Sequence, residues 1–385
     1  MYPEPFILER FFAEHEFSAR HLLSTSDCQG WAMSDLVGEA DEDLRARWDS
    51  LRLGYTESRG LPELRAEIAG MYESVAANEV LVAAPEEAIF LTMNSLLSAG
   101  DHVVCTFPGY QSLYELARSI GCDLSFWEPI EGDTWRFDPA DLERLLRPDT
   151  KLVVWNFPHN PTGALPSRED YDRMIAAVKA VGSGGAWLFS DEMYRLLEPK
   201  DGVRLPAAVD RYEKAVSLTG LSKAFGLAGL RIGWLTTHDE GLLERVSAMK
   251  DYTTICSSAP SELLGLMGLR SRERILKHNR QRLRRNAEAA GAFSERHRDL
   301  MRWIPSQAGT VSFPRLLAAE GGAPGRQWKG SGAFCEQVLR DTGVLLLPSS
   351  VYGYGDAHFR VGLGRNDSAF GLEVLDAYLS AGPRS

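Results

Sequence analysis

The sequence predicts an α/β protein built on a mostly parallel, seven-stranded sheet, with a smaller α+β domain towards the C-terminus. Between residues 80 and 238, short apolar runs alternate with segments whose apolar residues recur at helical spacing. Such alternation is typical of β–α–β units, which form a parallel sheet covered by helices on both faces. Beyond residue 240, long helical stretches come first, and a mixture of short strands and helices follows them.

Seven segments have the length and apolar content of buried strands. In chain order they are VLVAA (80–84), HVVCTF (102–107), DLSFWEP (123–129), KLVVWNF (151–157), AWLFSDE (186–192), AVSLTG (215–220) and LRIGWLTTH (230–238). The helices predicted before and between them cover 61–77, 86–100, 110–121, 139–147 and 168–181. Strands joined through helices pair in parallel, and parallel sheets are apolar on both faces.

The C-terminal third is predicted to be a second, α+β region. Its helices cover 240–252, 258–300, 331–343 and 370–380, and its strands cover 309–316, 344–350 and 358–364. No apolar run approaches the roughly 18 residues that span a bilayer.

The composition excludes several classes of protein. Hydrophobic residues at 44% and charged residues at 25% are average for a globular chain. A net charge of -11 opposes binding to nucleic acid or to an anionic membrane. The five cysteines lack any C-x-x-C spacing, so neither a disulfide framework nor a zinc site is indicated. We therefore expect a cytoplasmic protein with no bound metal, no membrane partner and no nucleic-acid partner.

Polar residues follow three of the predicted strands, where ligands bind in α/β sheets. KLVVW is followed by NFPHNPTG, which contains Asn160 and could be no more than a proline-rich turn. AWLF is followed by SDEMY, in which Asp191 could instead cap a helix and Tyr194 lies three residues further on. AVSLTG is followed by Lys223 and Arg231, with no carboxylate close to them in the sequence.

Arg360 lies in the middle of the predicted strand HFRVGLG. A guanidinium there is costly unless it meets an anion or a structural ion pair. Together with Lys223 and Asp191, it has one economical explanation, which is a site for pyridoxal phosphate. A reachable lysine among small residues can form a Schiff base, and a carboxylate can keep the pyridine nitrogen protonated. Arginines bind phosphate or carboxylate groups through two parallel hydrogen bonds.

The order of the motifs resembles that of fold-type I pyridoxal phosphate enzymes of the class I/II aminotransferase family. In sequence these are Tyr55 to Gly60, PGY, NPTG, SDEMY, SK with GLRIGW, and FRVG. The resemblance covers essentially the whole chain. It implies a homodimer with active sites shared between subunits and an L-amino acid as substrate. It also implies an N-terminal segment at 1–45, a large cofactor-binding domain at 46–275 and a small domain at 276–385.

The resemblance implies a role for each matched residue. Lys223 would hold the cofactor and move the α-proton of the substrate, Asp191 would pair with the pyridine nitrogen, and Tyr194 would complete the catalytic set. Tyr110 would stack on the cofactor ring, and Asn160 and Tyr194 would bind its phenolic oxygen. The phosphate would be bound by the amides of Glu86, Glu87 and Ala88, by the side chains of Ser222 and Arg231, and by Tyr55 of the partner subunit. Arg360 would bind the substrate carboxylate, together with Asn160.

Two positions depart from the family pattern. The family often has a serine or threonine three residues before the lysine, where this chain has Gly220, so either Ser222 or Thr219 must compensate. The usual glycine-containing stretch before the phosphate-binding helix is Ala84-Pro85 here. Proline suits a helix start but offers no N–H, so the donors must lie further along.

The resemblance favours transamination, and one alternative stays open. Residues 7–37 resemble, more loosely, the capreomycidine synthase branch, which cyclises a hydroxylated arginine by β-elimination, and related arginine oxidases. Glu9, Glu14, Glu16 and Asp27 could meet a guanidinium, and His15 or His21 could act as an acid or base. The simpler interpretation is the solvated face of an amphipathic helix. A regulator without turnover would not need Lys223, Asp191 and Arg360 together.

Overall fold

The central element is a seven-stranded sheet, seen in a computed structural model that describes residues 2–317 and 328–381. Its strands are β2 (Val80–Ala83), β3 (His102–Thr106), β4 (Asp123–Trp127), β7 (Thr150–Asn156), β8 (Trp187–Asp191), β9 (Ala215–Gly220) and β10 (Gly233–Thr236). They lie in the order β2-β10-β9-β8-β7-β3-β4, and β10 is antiparallel to both of its neighbours. The remaining pairs are parallel, so the predicted α/β class is confirmed.

The helices also match the predicted pattern. They are α1 (Ile7–His15), α2 (Met33–Glu39), α3 (Glu42–Asp49), α4 (Pro62–Ala69), α5 (Pro85–Leu96), α6 (Ser112–Ile120), α7 (Pro139–Leu145), α8 (Arg168–Lys179), α9 (Glu240–Lys250), α10 (Ala259–Arg270), α11 (Arg272–Arg296), α12 (Ser331–Thr342) and α13 (Ser368–Ser380). None of these helices, within the described ranges, is long and apolar enough to cross a membrane.

The inner strands of the sheet are buried and mostly apolar, whereas the edge strand β4 is partly exposed. Every residue of β2 and of β9 is buried, as expected for strands covered by helices on two sides. Polar side chains start the helices that cover it. Ser167 accepts a hydrogen bond from the amide of Asp170 at the start of α8, and Asp239 accepts one from Leu242 at the start of α9.

The remaining strands are short: β1 (His21–Leu22), β5 (Ile130–Glu131), β6 (Trp135–Arg136), β11 (Met301–Arg302), β12 (Val311–Ser312), β13 (Arg315–Leu316), β14 (Val344–Leu345), β15 (Leu347–Pro348) and β16 (Phe359–Gly362). The sheet β12-β16-β15 carries Arg360. Its apolar residues share a core with α11, α12 and α13. Of the predicted N- and C-terminal domains, residues 1, 318–327 and 382–385 lie outside the described residues.

The N-terminal segment is bound to both parts of the molecule. The amide of Ile7 donates to Oε1 of Gln111 at 2.9 Å, and Nε2 of Gln111 donates to the carbonyl of Pro5 at 3.0 Å. Strand β1 pairs in parallel with β14. Residues 23–28 follow β1 and lie against the carboxyl ends of the central strands, since the amide of Cys28 donates to the carbonyl of Lys223.

Candidate active site

The sheet brings the predicted strand-end residues to one edge. In the pairing of β7 with β8, Asn156 lies opposite Asp191, and Asp191 lies opposite Leu218 of β9. Lys223 follows β9 directly. All of these strands run in parallel, so their carboxyl ends open into a single cavity of about 510 Å³. The cavity is lined by many of the site residues that the sequence predicts. These are Lys223, Asp191, Asn160, Tyr194, Tyr110, Ser222, Arg231, Arg360 and Glu86.

Lys223 has a neutral partner. Its Nζ donates a hydrogen bond to Oγ of Ser26 at 3.0 Å, and no carboxylate of the described residues forms an ion pair with it. Burial lowers the pKa of Lys223, and the positive charge of Arg360 lowers it further, against the opposite effect of Asp27. The sequence did not indicate Ser26, which lies 197 residues before Lys223. A lysine with a lowered pKa and no carboxylate partner can act as a nucleophile.

Asp191 is buried, with 5% of its surface exposed. Its Oδ1 accepts the amide of Met193 at 3.0 Å, and burial raises the pKa of its carboxyl to about 7. Asn156 holds this strand end in place, because its Nδ2 donates to the carbonyl of Asp191 and its Oδ1 accepts the amide of Asn160. Asn156, the first residue of NFPHNPTG, is therefore a positioning residue.

Arg360 is completely enclosed, with 1% of its surface exposed. Its Nε and Nη2 donate to the carbonyl of Ser24 at 3.0 and 2.6 Å, and its Nη1 donates to Oδ1 of Asn160 and to the hydroxyl of Tyr352. All of these partners are neutral, so no structural ion pair compensates the guanidinium within the described ranges. The Asn160 oxygen is used by Arg360 and Tyr352, which leaves the Asn160 NH₂ as a donor for the cavity.

The two predicted tyrosines lie on the cavity wall. Tyr194 is buried, and burial raises the pKa of its hydroxyl to about 12, so it is a neutral donor at physiological pH. The Tyr110 hydroxyl donates to Oε1 of Glu9 at 3.1 Å, and its ring packs on Phe6 with the centroids 5.0 Å apart. His159, whose Nε2 donates to the carbonyl of Pro108 at 2.8 Å, links the loops that carry Asn160 and Tyr110.

Helix α5 starts at the cavity, as predicted for a phosphate-binding helix. Pro85 occupies its first position, and the amide of Ala88 already donates to the carbonyl of Ala84 at 2.9 Å. The amide of Ala88 thus enters the hydrogen-bond ladder of the helix, whereas those of Glu86 and Glu87 precede it. Phosphate binding by these three amides stays a prediction.

Of the two residues that could compensate for Gly220, only Ser222 lines the cavity. The Oγ of Ser222 is buried without a hydrogen-bonding partner, whereas Thr219 faces the Tyr72 hydroxyl at 3.5 Å. A Cβ at position 220 would lie 3.0 Å from Cα of Gly233, so any side chain there would require the neighbouring backbone to shift by a few tenths of an ångström. Arg231 also lines the cavity and has a left-handed backbone with φ of 56°.

The N-terminal segment forms an acidic wall of Glu9, Glu16 and Asp27, all of which line the cavity. Asp27 forms an ion pair with Arg365 at 2.9 Å, and Glu9 accepts the Tyr110 hydroxyl. The Glu16 carboxylate has no hydrogen-bonding or ion-pairing partner in the part of the chain that the structure describes. Burial, and then the charge of Asp27, raise the pKa of Glu16.

The other residues considered in the N-terminal segment lie away from the cavity. Glu14 is exposed beside His15, and the His21 ring packs on Phe370 with the centroids 5.3 Å apart. Tyr55 is 90% exposed and does not line the cavity of its own chain. No metal-binding group of three or more His, Cys, Asp or Glu residues occurs among the described residues.

The residues present fit pyridoxal phosphate. An amine, a buried carboxyl and an unpartnered serine hydroxyl line one cavity, which Arg231 and the first residues of α5, Pro85 and Glu86, also line. Helix starts bind phosphate through their free amides. The fold and this set of side chains define a pyridoxal phosphate-dependent enzyme of fold type I.

The chain belongs to the family described as aminotransferase class I and II, whose family model matches residues 23–369. It is 28% identical to capreomycidine synthase from Streptomyces vinaceus, over 98% of this chain and 94% of that protein. Two solved structures are similar in fold. A PLP-dependent aminotransferase from Streptococcus suis 89-1591 matches with a TM-score of 0.89 and 26% identity over the whole of both chains. The PLP-dependent cyclase OrfR matches with a TM-score of 0.88 and 28% identity, over 99% of this chain and 98% of that chain.

Proposed function

We propose that the protein is an aminotransferase that removes the amino group of an L-amino acid in this cavity. The observation that carries the proposal is the geometry of Lys223, whose amine faces the cavity with only a serine hydroxyl as partner. Pyridoxal phosphate, when bound, withdraws electrons from the bonds at the substrate α-carbon. The protein must then supply a base, an anchor for the substrate and a charge partner for the ring.

Three side chains are proposed for these tasks. Lys223 is the base that accepts the α-proton and returns it, because its lowered pKa makes the neutral amine accessible. Arg360 binds the substrate carboxylate, since its guanidinium is held by neutral partners and keeps its full positive charge. Asp191 holds a proton at the ring nitrogen, and a buried carboxylate beside a cation favours that charge pair.

A second candidate is cyclisation, elimination or oxidation of arginine or a hydroxyarginine. The acidic wall supports this candidate, because the free Glu16 carboxylate and the Arg360 guanidinium line the same cavity. A substrate with a carboxylate at one end and a guanidinium at the other matches these two charges. The similarity to capreomycidine synthase and to a PLP-dependent cyclase points the same way.

Turnover without an amino acceptor tests both candidates. Transamination leaves the amino group on the cofactor, so we expect one equivalent of 2-oxo acid per site and then no further reaction. Elimination and oxidation regenerate the cofactor, and oxidation also consumes oxygen. The three reactions are separated by two measurements over a panel of amino acids. Mass spectrometry gives the amount of product, and an oxygen electrode gives the oxygen consumed. Continued turnover of arginine without acceptor would reject transamination as the main activity.

In steady-state assays with an amino acceptor supplied, Glu16→Gln is expected to raise KM for arginine by about tenfold, because it removes one charge-assisted contact. KM for neutral amino acids should change little. Glu14→Gln is the matched control, since Glu14 lies two residues away with 76% of its side chain exposed. If Glu16→Gln and Glu14→Gln give equal KM values for arginine, the acidic wall does not bind the substrate side chain.

We further propose that the protein is a homodimer in which Tyr55 reaches the partner's phosphate. Support comes from the exposure of Leu53, Tyr55 and Tyr252, at 85%, 90% and 92%. Large exposed apolar side chains in one region are typical of an interface.

The domain division at residues 45 and 275 is also a proposal. So is a cytoplasmic location, which the free thiols of all five cysteines favour.

Mixing two inactive variants tests the shared site. Chains with Lys223→Ala and chains with Tyr55→Ala are expected to recover activity when they are unfolded together and refolded as hybrids. One site of each hybrid then combines an intact Lys223 with an intact Tyr55 from the partner. Activity is measured against each variant refolded alone. Absence of recovery in hybrids confirmed by native mass spectrometry would show that Tyr55 does not act across the interface.

A further inference from the structure

Glu86 places a carboxyl group at the end of the cavity where an anion is expected. It is the second residue of α5, and it lines the cavity together with Ser222 and Arg231. The hydroxyl of Ser222, another residue of the cavity wall, is buried without a hydrogen-bonding partner. The start of a helix attracts anions through its positive potential and its free amides. An ionised Glu86 would therefore compete with a phosphate for the same interactions. Nothing in the mechanism proposed above uses this carboxyl.

The surroundings of Glu86 come from several elements of the fold. Its Oε2 accepts a hydrogen bond from Oγ of Ser112 in α6 at 3.1 Å. The Tyr110 hydroxyl, from the loop after β3, also interacts with it. The charged groups that act on it are Glu9 of α1 and Asp191 at the end of β8, whose negative charges oppose ionisation, and Arg231, which favours it. These side chains surround the carboxyl, which lies in the cavity wall at the helix start.

The electrostatics favour a protonated carboxyl. Burial raises the pKa of Glu86 to about 7. A phosphate bound at the same helix start brings one or two further negative charges. Two acidic groups in contact do not both ionise fully, and the pair holds one proton between them. A carboxylic acid can donate a hydrogen bond to a phosphate oxygen, whereas a carboxylate repels it.

We propose that Glu86 binds the cofactor phosphate in its protonated form, so that cofactor binding takes up a proton at this side chain. The inference rests on the proposed function only in that the phosphate lies at the start of α5. The protonated carboxyl donates a hydrogen bond to the phosphate, a task that a hydroxyl or amide group performs in other phosphate sites. When the acid loses its proton, Glu86 becomes an internal competitor for the free amides of α5.

The proposal fixes the sign of the pH dependence. Cofactor binding raises the pKa of Glu86, so below the pKa of the free protein this group has no effect on affinity. Above it, the affinity falls by up to about tenfold per pH unit, until the pKa of the complex is reached. Glu86→Gln offers an amide donor at every pH. With a pKa of about 7 in the free protein, the protonated fraction of Glu86 falls from about one half at pH 7 to about one eleventh at pH 8. The dissociation constant of the wild type, divided by that of the glutamine variant, should therefore rise by about fivefold over this range.

The experiment measures the pyridoxal phosphate dissociation constant of both proteins by tryptophan fluorescence across this range. The ionisations of the cofactor and of Lys223 are common to both proteins and cancel in the ratio. Calorimetry in two buffers of different ionisation enthalpy counts the protons, and the wild type should take up close to one proton more than Glu86→Gln above about pH 7. Glu143→Gln on α7 is the matched control. It removes an exposed carboxylate that pairs with Arg173 at 2.7 Å, and it should keep the wild-type pH dependence.

Equal pH dependence and equal proton uptake in the wild type and Glu86→Gln would overturn the inference. If Glu86→Gln does not fold, Ser112→Ala decides the question. It removes a hydrogen bond that lowers the pKa of Glu86, so the fall in affinity should begin at higher pH. An unchanged profile in Ser112→Ala would then overturn the inference. A wild type that binds no pyridoxal phosphate at any pH would instead contradict the proposed function itself.

Discussion

Lys223→Ala is expected to lower kcat by at least about 10⁴-fold, because one substitution removes both the covalent attachment and the proposed base. The fold should persist, since the lysine makes one side-chain hydrogen bond, to Ser26, and lines a cavity. Activity is measured at saturating substrate and cofactor. Lys277→Ala, on the exposed face of α11, is the control for removal of a positive charge. A variant at position 223 with more than about a tenth of the wild-type kcat would contradict the assignment.

Asp191→Asn is expected to lower kcat by roughly 10²- to 10³-fold while the cofactor stays covalently attached. Asparagine has the same shape and can still accept the Met193 amide, so the strand end keeps its geometry. It cannot supply the negative charge that holds a proton at the ring nitrogen. The measurement is kcat alongside the cofactor content of the purified variant.

The control for this change is Asp172→Asn on α8, which removes a carboxylate from an exposed ion pair with Arg168. It should retain wild-type kcat, since exposed pairs contribute little to stability. If Asp191→Asn turned over substrate as fast as Asp172→Asn, the buried carboxyl would have no electrostatic role in the reaction.

The strand-end residues could be predicted because parallel strands share an edge. Asn160, Asp191 and Lys223 follow three neighbouring strands, and their order along the chain carries over directly to their order in space. Helix boundaries were less predictable. The helix expected at 61–77 ends at Ala69, and α2 and α3 were not anticipated, because their apolar faces are short and are fixed by packing against α10.

The partners of these residues could not be predicted, because they come from distant parts of the chain. Ser26 contacts Lys223 across 197 residues, and the Ser24 carbonyl contacts Arg360 across 336 residues. Hydroxyl and carbonyl groups of this kind have no pattern in the sequence. The position of the Glu86 carboxyl in the cavity wall could not be predicted either. An acidic residue at a helix start ordinarily indicates only a favourable interaction with the helix dipole.

The most direct test of the account is the site of cofactor attachment in the wild-type protein. The protein is incubated with pyridoxal phosphate, reduced with borohydride, digested and analysed by tandem mass spectrometry. We expect the phosphopyridoxyl mass on the peptide that contains Lys223, at close to one group per chain. A modified lysine elsewhere with Lys223 unlabelled, or no label at all in folded protein, would contradict the central claim.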